Sequence, residues 1–169
     1  LYGIDTRDLT SHIRKNGFLN GIIANDPKGV EDKESILRDL SKWKGINGQD
    51  LAKIVSTKDI YTWKEKEIDA LSQDIEQIDK HIVVIDYGVK SNILRCLSSR
   101  FNKITVVPCD TDISDIKNLK PDGIFLSNGP GDPFATGEYA IPIVKKLILM
   151  EIPIFGICLG HQILALALG

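Results

Sequence analysis

Cys158 is the residue of this chain best placed for covalent chemistry. It sits at the centre of Gly156-Ile157-Cys158-Leu159-Gly160, between an apolar run, Ile152-Pro153-Ile154-Phe155, and a second apolar segment at 163–168. The order reads as strand, tight turn, helix. Small residues two places either side of a nucleophile let the backbone turn sharply and lift the side chain clear of the sheet's carboxyl edge. At the start of the following helix, open backbone N–H groups and the helix dipole stabilise negative charge on the sulfur. The chemistry this implies is acyl transfer through a cysteine nucleophile. Cys96, on a helical face, and Cys109, after a strand, lack such an elbow and do not read as nucleophiles.

A second stretch has the composition of a rigid ligand-facing turn. Ser127-Asn128-Gly129-Pro130-Gly131-Asp132-Pro133 holds two glycines and two prolines, so its backbone N–H groups are open to a ligand. A thiolate attacking a carboxamide makes a tetrahedral oxyanion, which two fixed N–H donors stabilise. Gly131 and Leu159, the residue just after the cysteine, are the natural pair.

Both stretches must be carried by a sheet. From residue 81 onward, apolar strands alternate with helical spacing: strands at 81–86, 104–108, 123–127 and 152–155, and helices at 88–97, 113–119, 138–150 and after Cys158. Nearly continuous apolar strands such as His81-Ile82-Val83-Val84-Ile85-Asp86 are buried on both faces of a parallel sheet. The alternation predicts an α/β fold, an open parallel sheet flanked by helices, with ligands bound outside the carboxyl ends of the strands. Pro142 fits its helix only if it falls in the first turn. Ahead of this domain, the sequence predicts part of a smaller α/β domain at 1–60. Its expected elements are an amphipathic helix within 4–17, a strand at 19–24, a helix at about 32–43 with Ile36, Leu37 and Leu40 inward, and a strand at Ile54-Val55. Residues 61–80 are rich in charge and read as the linker, with 81–169 as the second domain.

Composition narrows the function. The chain has 169 residues, 43% hydrophobic and 26% charged, with a net charge of −2. That is ordinary for a globular protein and supplies no basic surface for nucleic acid. The three cysteines have no paired spacing, which suits a reducing compartment, so a cytoplasmic location is expected. Residues 152–169 carry no Asp, Glu, Lys or Arg, but Pro153, Gly156, Gly160, His161 and Gln162 interrupt the run. A buried strand followed by a buried helix fits it better than a membrane span. His12 reads as a partly exposed helix residue.

At the cysteine motif, Gly156-Ile157-Cys158-Leu159-Gly160-His161-Gln162, the sequence resembles the class I, triad-type glutamine amidotransferases. Within that class it looks like the glutamine-hydrolysing small chains of carbamoyl-phosphate synthase. The residues that carry this likeness are Gly3-Ile4-Asp5-Thr6-Arg7, Gly48-Gln49-Asp50-Leu51-Ala52, Asp86-Tyr87-Gly88-Val89-Lys90-Ser91-Asn92-Ile93-Leu94-Arg95 and the run 126–133. The first and third of these separate it from the amidotransferases of anthranilate synthase and GMP synthetase. The resemblance implies that Cys158 attacks the side-chain amide of glutamine, with the Gly131 and Leu159 N–H groups on the oxyanion. It also implies that Gly129, Gly131, Leu159 and Gln162 help bind glutamine. Ammonia would pass to the synthase's large chain, which uses ATP and magnesium to make carbamoyl phosphate for pyrimidines and arginine. No cofactor or metal is implied in this chain itself.

The same resemblance places the family's general-base histidine and its orienting glutamate beyond Gly169, and a glutamine-contacting serine before Leu1. The chain is therefore expected to be a piece lacking both ends, with little activity and poor solubility alone. His161, on the same turn as the nucleophile, reads as support for the elbow. Two other readings stay open on the sequence: a non-catalytic module that docks on the large chain, and an amidotransferase subunit of another synthase.

Overall fold

In the computed structural model, residues 3–17, 19–25, 32–65 and 76–169 are described. The chain divides into two compact units, Leu1–Gly45 and Ile46–Gly169. The boundary falls before residues 46–60, which the sequence reading assigns to the first domain.

The first unit holds two helices, α1 (Thr6–Asn16) and α2 (Lys33–Lys42). Both start on an aspartate cap, Asp5 accepting from the Asp8 N–H and Asp32 from the Ser35 N–H. Helix α1 ends at Gly17 with φ 78°, after a basic pair in its last turn. Neither helix buries a residue, and Leu9, Ile13 and Leu37 are all exposed; the inward place expected for Leu37 is not taken. The strand expected at 19–24 is not formed. A strand must pair its backbone groups with a neighbour, and among the described residues of this unit there is no strand to pair with. The smaller unit is thus all helix and loop over its described residues.

The second unit is a five-stranded sheet in the order β1-β3-β2-β4-β5. The strands are β1 (Tyr61–Trp63), β2 (Ile78–Asp86), β3 (Phe101–Pro108), β4 (Gly123–Leu126) and β5 (Ile154–Gly156). Strands β2 to β5 are mutually parallel, as the alternation with helices requires, and β1 lies antiparallel on β3 at one edge. Alternation along the strands sorts two cores. Val83 and Ile85 of β2, with Ile124 and Leu126 of β4, face α5 (Ile113–Asn118), α6 (Pro133–Ile148) and α7 (Leu159–Leu168) through Ile116, Val144, Leu147 and Ile163. Val84, Ile104, Val106 and Phe125 face the other way, toward Leu94 of α4 (Ser91–Arg100).

Three local expectations are overturned in this unit. Tyr61–Trp63, inside the expected linker, is a sheet strand, and β2 begins at Ile78, also inside it; residues 66–75 of that linker lie outside the described residues. The β-branched pair Ile54-Val55 is helical, in α3 (Ala52–Val55). The Asp50 side chain accepts the Lys53 N–H at 3.3 Å and Ala52 is fully buried, which favours a turn that seats Ala52 over an extended pair. Finally, α6 starts at Pro133, so Pro142 sits in its interior. Pro142 and Glu138 are both exposed, where water can satisfy the Glu138 carbonyl that loses its N–H partner.

His81 ties the start of the β2 core to its surroundings. It is 8% exposed, with Nδ1 3.0 Å from the Leu119 carbonyl and Nε2 2.8 Å from Thr105 Oγ1. Burial, aided by Lys103, holds the imidazole below its ordinary value. The folded state therefore favours neutral His81, and its contribution is complete above the ordinary value near 6.5 and lost as pH falls through the lowered folded value. Between pH 7.5 and 5 the melting temperature should fall, and His81→Gln should flatten that fall; equal slopes in the two proteins would contradict the assignment.

Candidate active site

The site is assembled where the strand order reverses. From β2 the chain steps to β3 on one side and then returns to β4 on the other, so the loops after β2 and β4 flank a crevice at the carboxyl edge. The loop after β5 adjoins it and carries Cys158.

The elbow at Cys158 is built by two glycines at van der Waals limits. A Cβ at Gly156 would lie 2.7 Å from the Gly160 carbonyl carbon and 2.8 Å from the His161 nitrogen. A Cβ at Gly160 would overlap the Leu126 carbonyl group. These approaches seat the first turn of α7 directly on the ends of β4 and β5, with Ile157 N–H donating to Leu126 O at 3.1 Å and Gly160 N–H to Ser127 O at 3.0 Å. Cys158 must then take φ 51° and ψ −114°, a conformation that favours glycine. The thiol is exposed, whereas Leu159, the first residue of α7, is buried. The Leu159 N–H makes no hydrogen bond with a described residue, as expected at the first position of a helix.

The loop after β4 is held just as closely. The Ser127 hydroxyl accepts the Tyr87 N–H at 2.8 Å and donates to Asn128 O. The Asn128 side chain bonds the Gly88 carbonyl at 2.9 Å and accepts the Lys90 N–H at 3.2 Å, which locks this loop to the one after β2. A Cβ at Gly129 would sit 2.8 Å from the Tyr87 carbonyl carbon and 2.9 Å from Leu159 Cδ2, so Gly129 touches the elbow itself. Gly131 has φ 101° and an N–H without a partner among the described residues. Of the sequence-derived site residues, Cys158, Leu159 and Gln162 share the β5–α7 turn, and Gly129 and Gly131 share the neighbouring loop. Gln162 donates its backbone N–H to Cys158 O and exposes its side chain, as does His161.

Two carboxylates that support these loops escape the sequence reading. Asp86, 5% exposed at the end of β2, accepts the Gly88 and Val89 N–H groups on Oδ1 and the Thr57 N–H on Oδ2. Asp132 caps α6 through the Phe134 N–H and accepts the Gly48 N–H at 2.7 Å. The signal for Asp132 was present: an aspartate before a proline is a helix start, N-cap followed by N1. Beginning the helix at Glu138 passes over it. Among the described residues no group of three or more His, Cys, Asp or Glu side chains could hold a metal ion. Nor is any helix there long and apolar enough to cross a membrane.

Residues 83–169, which hold most of the parallel part of the sheet and both loops, match the family model of glutamine amidotransferase class-I. The chain belongs to that family. All of it is also similar to proteins called carbamoyl phosphate synthase small chain. It is 50% identical over 181 residues to that of Rhizobium meliloti strain 1021, and 52% identical over 171 residues to that of Bartonella bacilliformis. A third, from Agrobacterium fabrum strain C58, is 50% identical over 175 residues. In each case the whole chain is covered, but only 43% of the relative. The amidotransferase chain thus spans less than half the length of the curated relatives it matches.

The strain at Cys158 and the contacts of Gly160 make separable predictions for this amidotransferase domain. Cys158→Gly should be more stable than Cys158→Ala by about 1 kcal/mol, because only glycine accepts φ 51° without strain. Gly160→Ala should cost more than about 2 kcal/mol, since its methyl group meets backbone that cannot move aside. Urea midpoints for the three variants measure both.

Proposed function

We propose that this chain is the glutamine-hydrolysing part of a carbamoyl-phosphate synthase small chain, with Cys158 as its nucleophile. The observation that carries the proposal is the exposed thiol at φ 51°, on a turn packed between two glycines beside an open Gly131 loop. The likeness to the small chains over the whole sequence supports the choice of synthase.

In this reading the Cys158 sulfur attacks the side-chain carbonyl carbon of glutamine. The π pair moves to oxygen, where the Gly131 and Leu159 N–H groups receive it. Collapse of this tetrahedral species breaks the C–N bond and releases ammonia, leaving a γ-glutamyl thioester that water hydrolyses to glutamate. Gly129, Gly131, Leu159 and Gln162 line the glutamine subsite. The proton for the leaving amine is assigned, by family resemblance, to a histidine oriented by a glutamate outside residues 1–169. Ammonia then passes to the large chain, which consumes ATP, with magnesium, and bicarbonate to form carbamoyl phosphate in the cytoplasm.

The test is made in the intact protein together with its large chain. Cys158→Ser should abolish carbamoyl phosphate synthesis from glutamine, by about a thousandfold or more, and spare synthesis from added ammonia. Equal loss with both nitrogen sources, or none with glutamine, would sink the proposal.

A further inference from the structure

The Gly131 loop does not hold itself in place. Its outer side rests on the chain segment 46–52, and the contact is backbone against backbone. A Cβ at Gly131 would fall 2.8 Å from both Gln49 O and Leu51 N. Asp132 fastens the two together: its own N–H donates to Gln49 O at 3.0 Å, and its Oδ2 accepts the Gly48 N–H at 2.7 Å. Its Oδ1 is used separately, for the Phe134 N–H at the start of α6. The Gly48 donor, followed by that of Phe134, holds the carboxyl below the usual carboxylate range. Farther along, Asp50 accepts from Thr136 Oγ1 at 3.1 Å and from the Tyr139 hydroxyl at 3.3 Å, which pins the same segment to α6.

We infer that Asp132 is a positioning residue for the oxyanion donor: its Oδ2 bond to Gly48 clamps segment 46–52 behind Gly131 and fixes where the Gly131 N–H can point. This rests on the proposed role of Gly131. An N–H donor stabilises an oxyanion only when it is held in place before the charge forms. Gly131, at φ 101° between Pro130 and Asp132, has no side chain with which to anchor itself. The segment's backbone supplies the missing wall.

Asp132→Asn and Asp132→Ser separate this clamp from helix capping. Either residue keeps one acceptor for the Phe134 N–H, because both are good N-caps. Neither keeps the second oxygen for Gly48, and Asn opposes it with its own N–H. The probe is an aldehyde with the carbon skeleton of glutamine, its CHO replacing the carboxamide. The Cys158 sulfur adds to the aldehyde carbon, the C=O π pair moves to oxygen and the thiol proton ends there, giving a thiohemiacetal that uses the oxyanion donors without turnover. Iodoacetamide alkylates the same sulfur by displacing iodide, with no oxyanion formed.

The inference expects both variants to bind the aldehyde about tenfold to a hundredfold more weakly, less than the loss of a donor outright. Iodoacetamide rates and the cooperative melt should stay close to the wild type. Unchanged aldehyde affinity in a folded variant overturns the inference, and so does a parallel loss of both reactions, which marks a merely structural role. If wild-type protein reacts with iodoacetamide but forms no thiohemiacetal, the proposed function fails, and this inference with it.

Discussion

Gly160 lies against the Leu126 carbonyl more closely than any side chain would permit, and much of the architecture around the cysteine follows from that approach. It brings the start of α7 onto the end of β4, where the Gly160 N–H reaches Ser127 O and the Ile157 N–H reaches Leu126 O. The chain leaving β5 has then only two residues in which to reverse direction and enter a helix. Cys158 takes the strain of that reversal and stands outside the packing, while Leu159 and Ile163, on the inner side of the same helix, are buried to 2% and 0% exposure. Exposure of the thiol and burial of its neighbours thus come from one constraint, the tight fit of glycine backbone on a strand end.

The support for the adjoining loops is different in kind. Beyond the bonds that Ser127 makes to β2 and α7, side chains hold the turns after β2 and β4, with carboxylates and amides collecting their N–H groups. Asp86 gathers donors from Gly88, Val89 and Thr57, Asn128 bridges the two loops, and Asp132 joins the second to segment 46–52. Turns satisfied in this way are rigid, and the Gly131 and Leu159 N–H groups stay without a partner among the described residues. Tyr139 adds to the wall beneath. Burial, followed by its bond to Cys109, pushes its phenol well above the ordinary range, so it stays a neutral donor to Asp50.

The two faces of the sheet are unequally covered. Among the described residues, α5, α6, α7 and Ala52 of α3 pack on the face that carries Val83, Ile85 and Leu126, whereas α4 is the helix on the other. On that second face a groove of about 470 Å³ runs past Leu97, Phe101, Phe125, Pro153 and Phe155, with Phe155 63% exposed. The site loops lie at the carboxyl ends of the strands, away from this groove.

From sequence alone, the elbow, the parallel sheet and the family were legible, because each leaves a local or periodic trace. Two glycines flanking a cysteine, apolar strands of continuous type and helical spacing between them need no knowledge of what lies across the fold. Pairing across a distance leaves no such trace. Tyr61–Trp63 is too short to signal a strand and becomes one only by lying antiparallel on β3. Residues 19–24 have strand composition and remain loop in a unit whose described residues hold no strand to bond with. Within segment 46–52 the run Gly48–Ala52 carries part of the family likeness in the sequence, but its backbone contact with Gly131 shows only in the fold. The sequence by itself determined the turn that holds Cys158 and the parallel strands on either side of it. Tertiary structure decided what holds those atoms still, because hydrogen bonds between residues more than eighty positions apart, such as Gly48 to Asp132, depend on where the fold brings their backbones together.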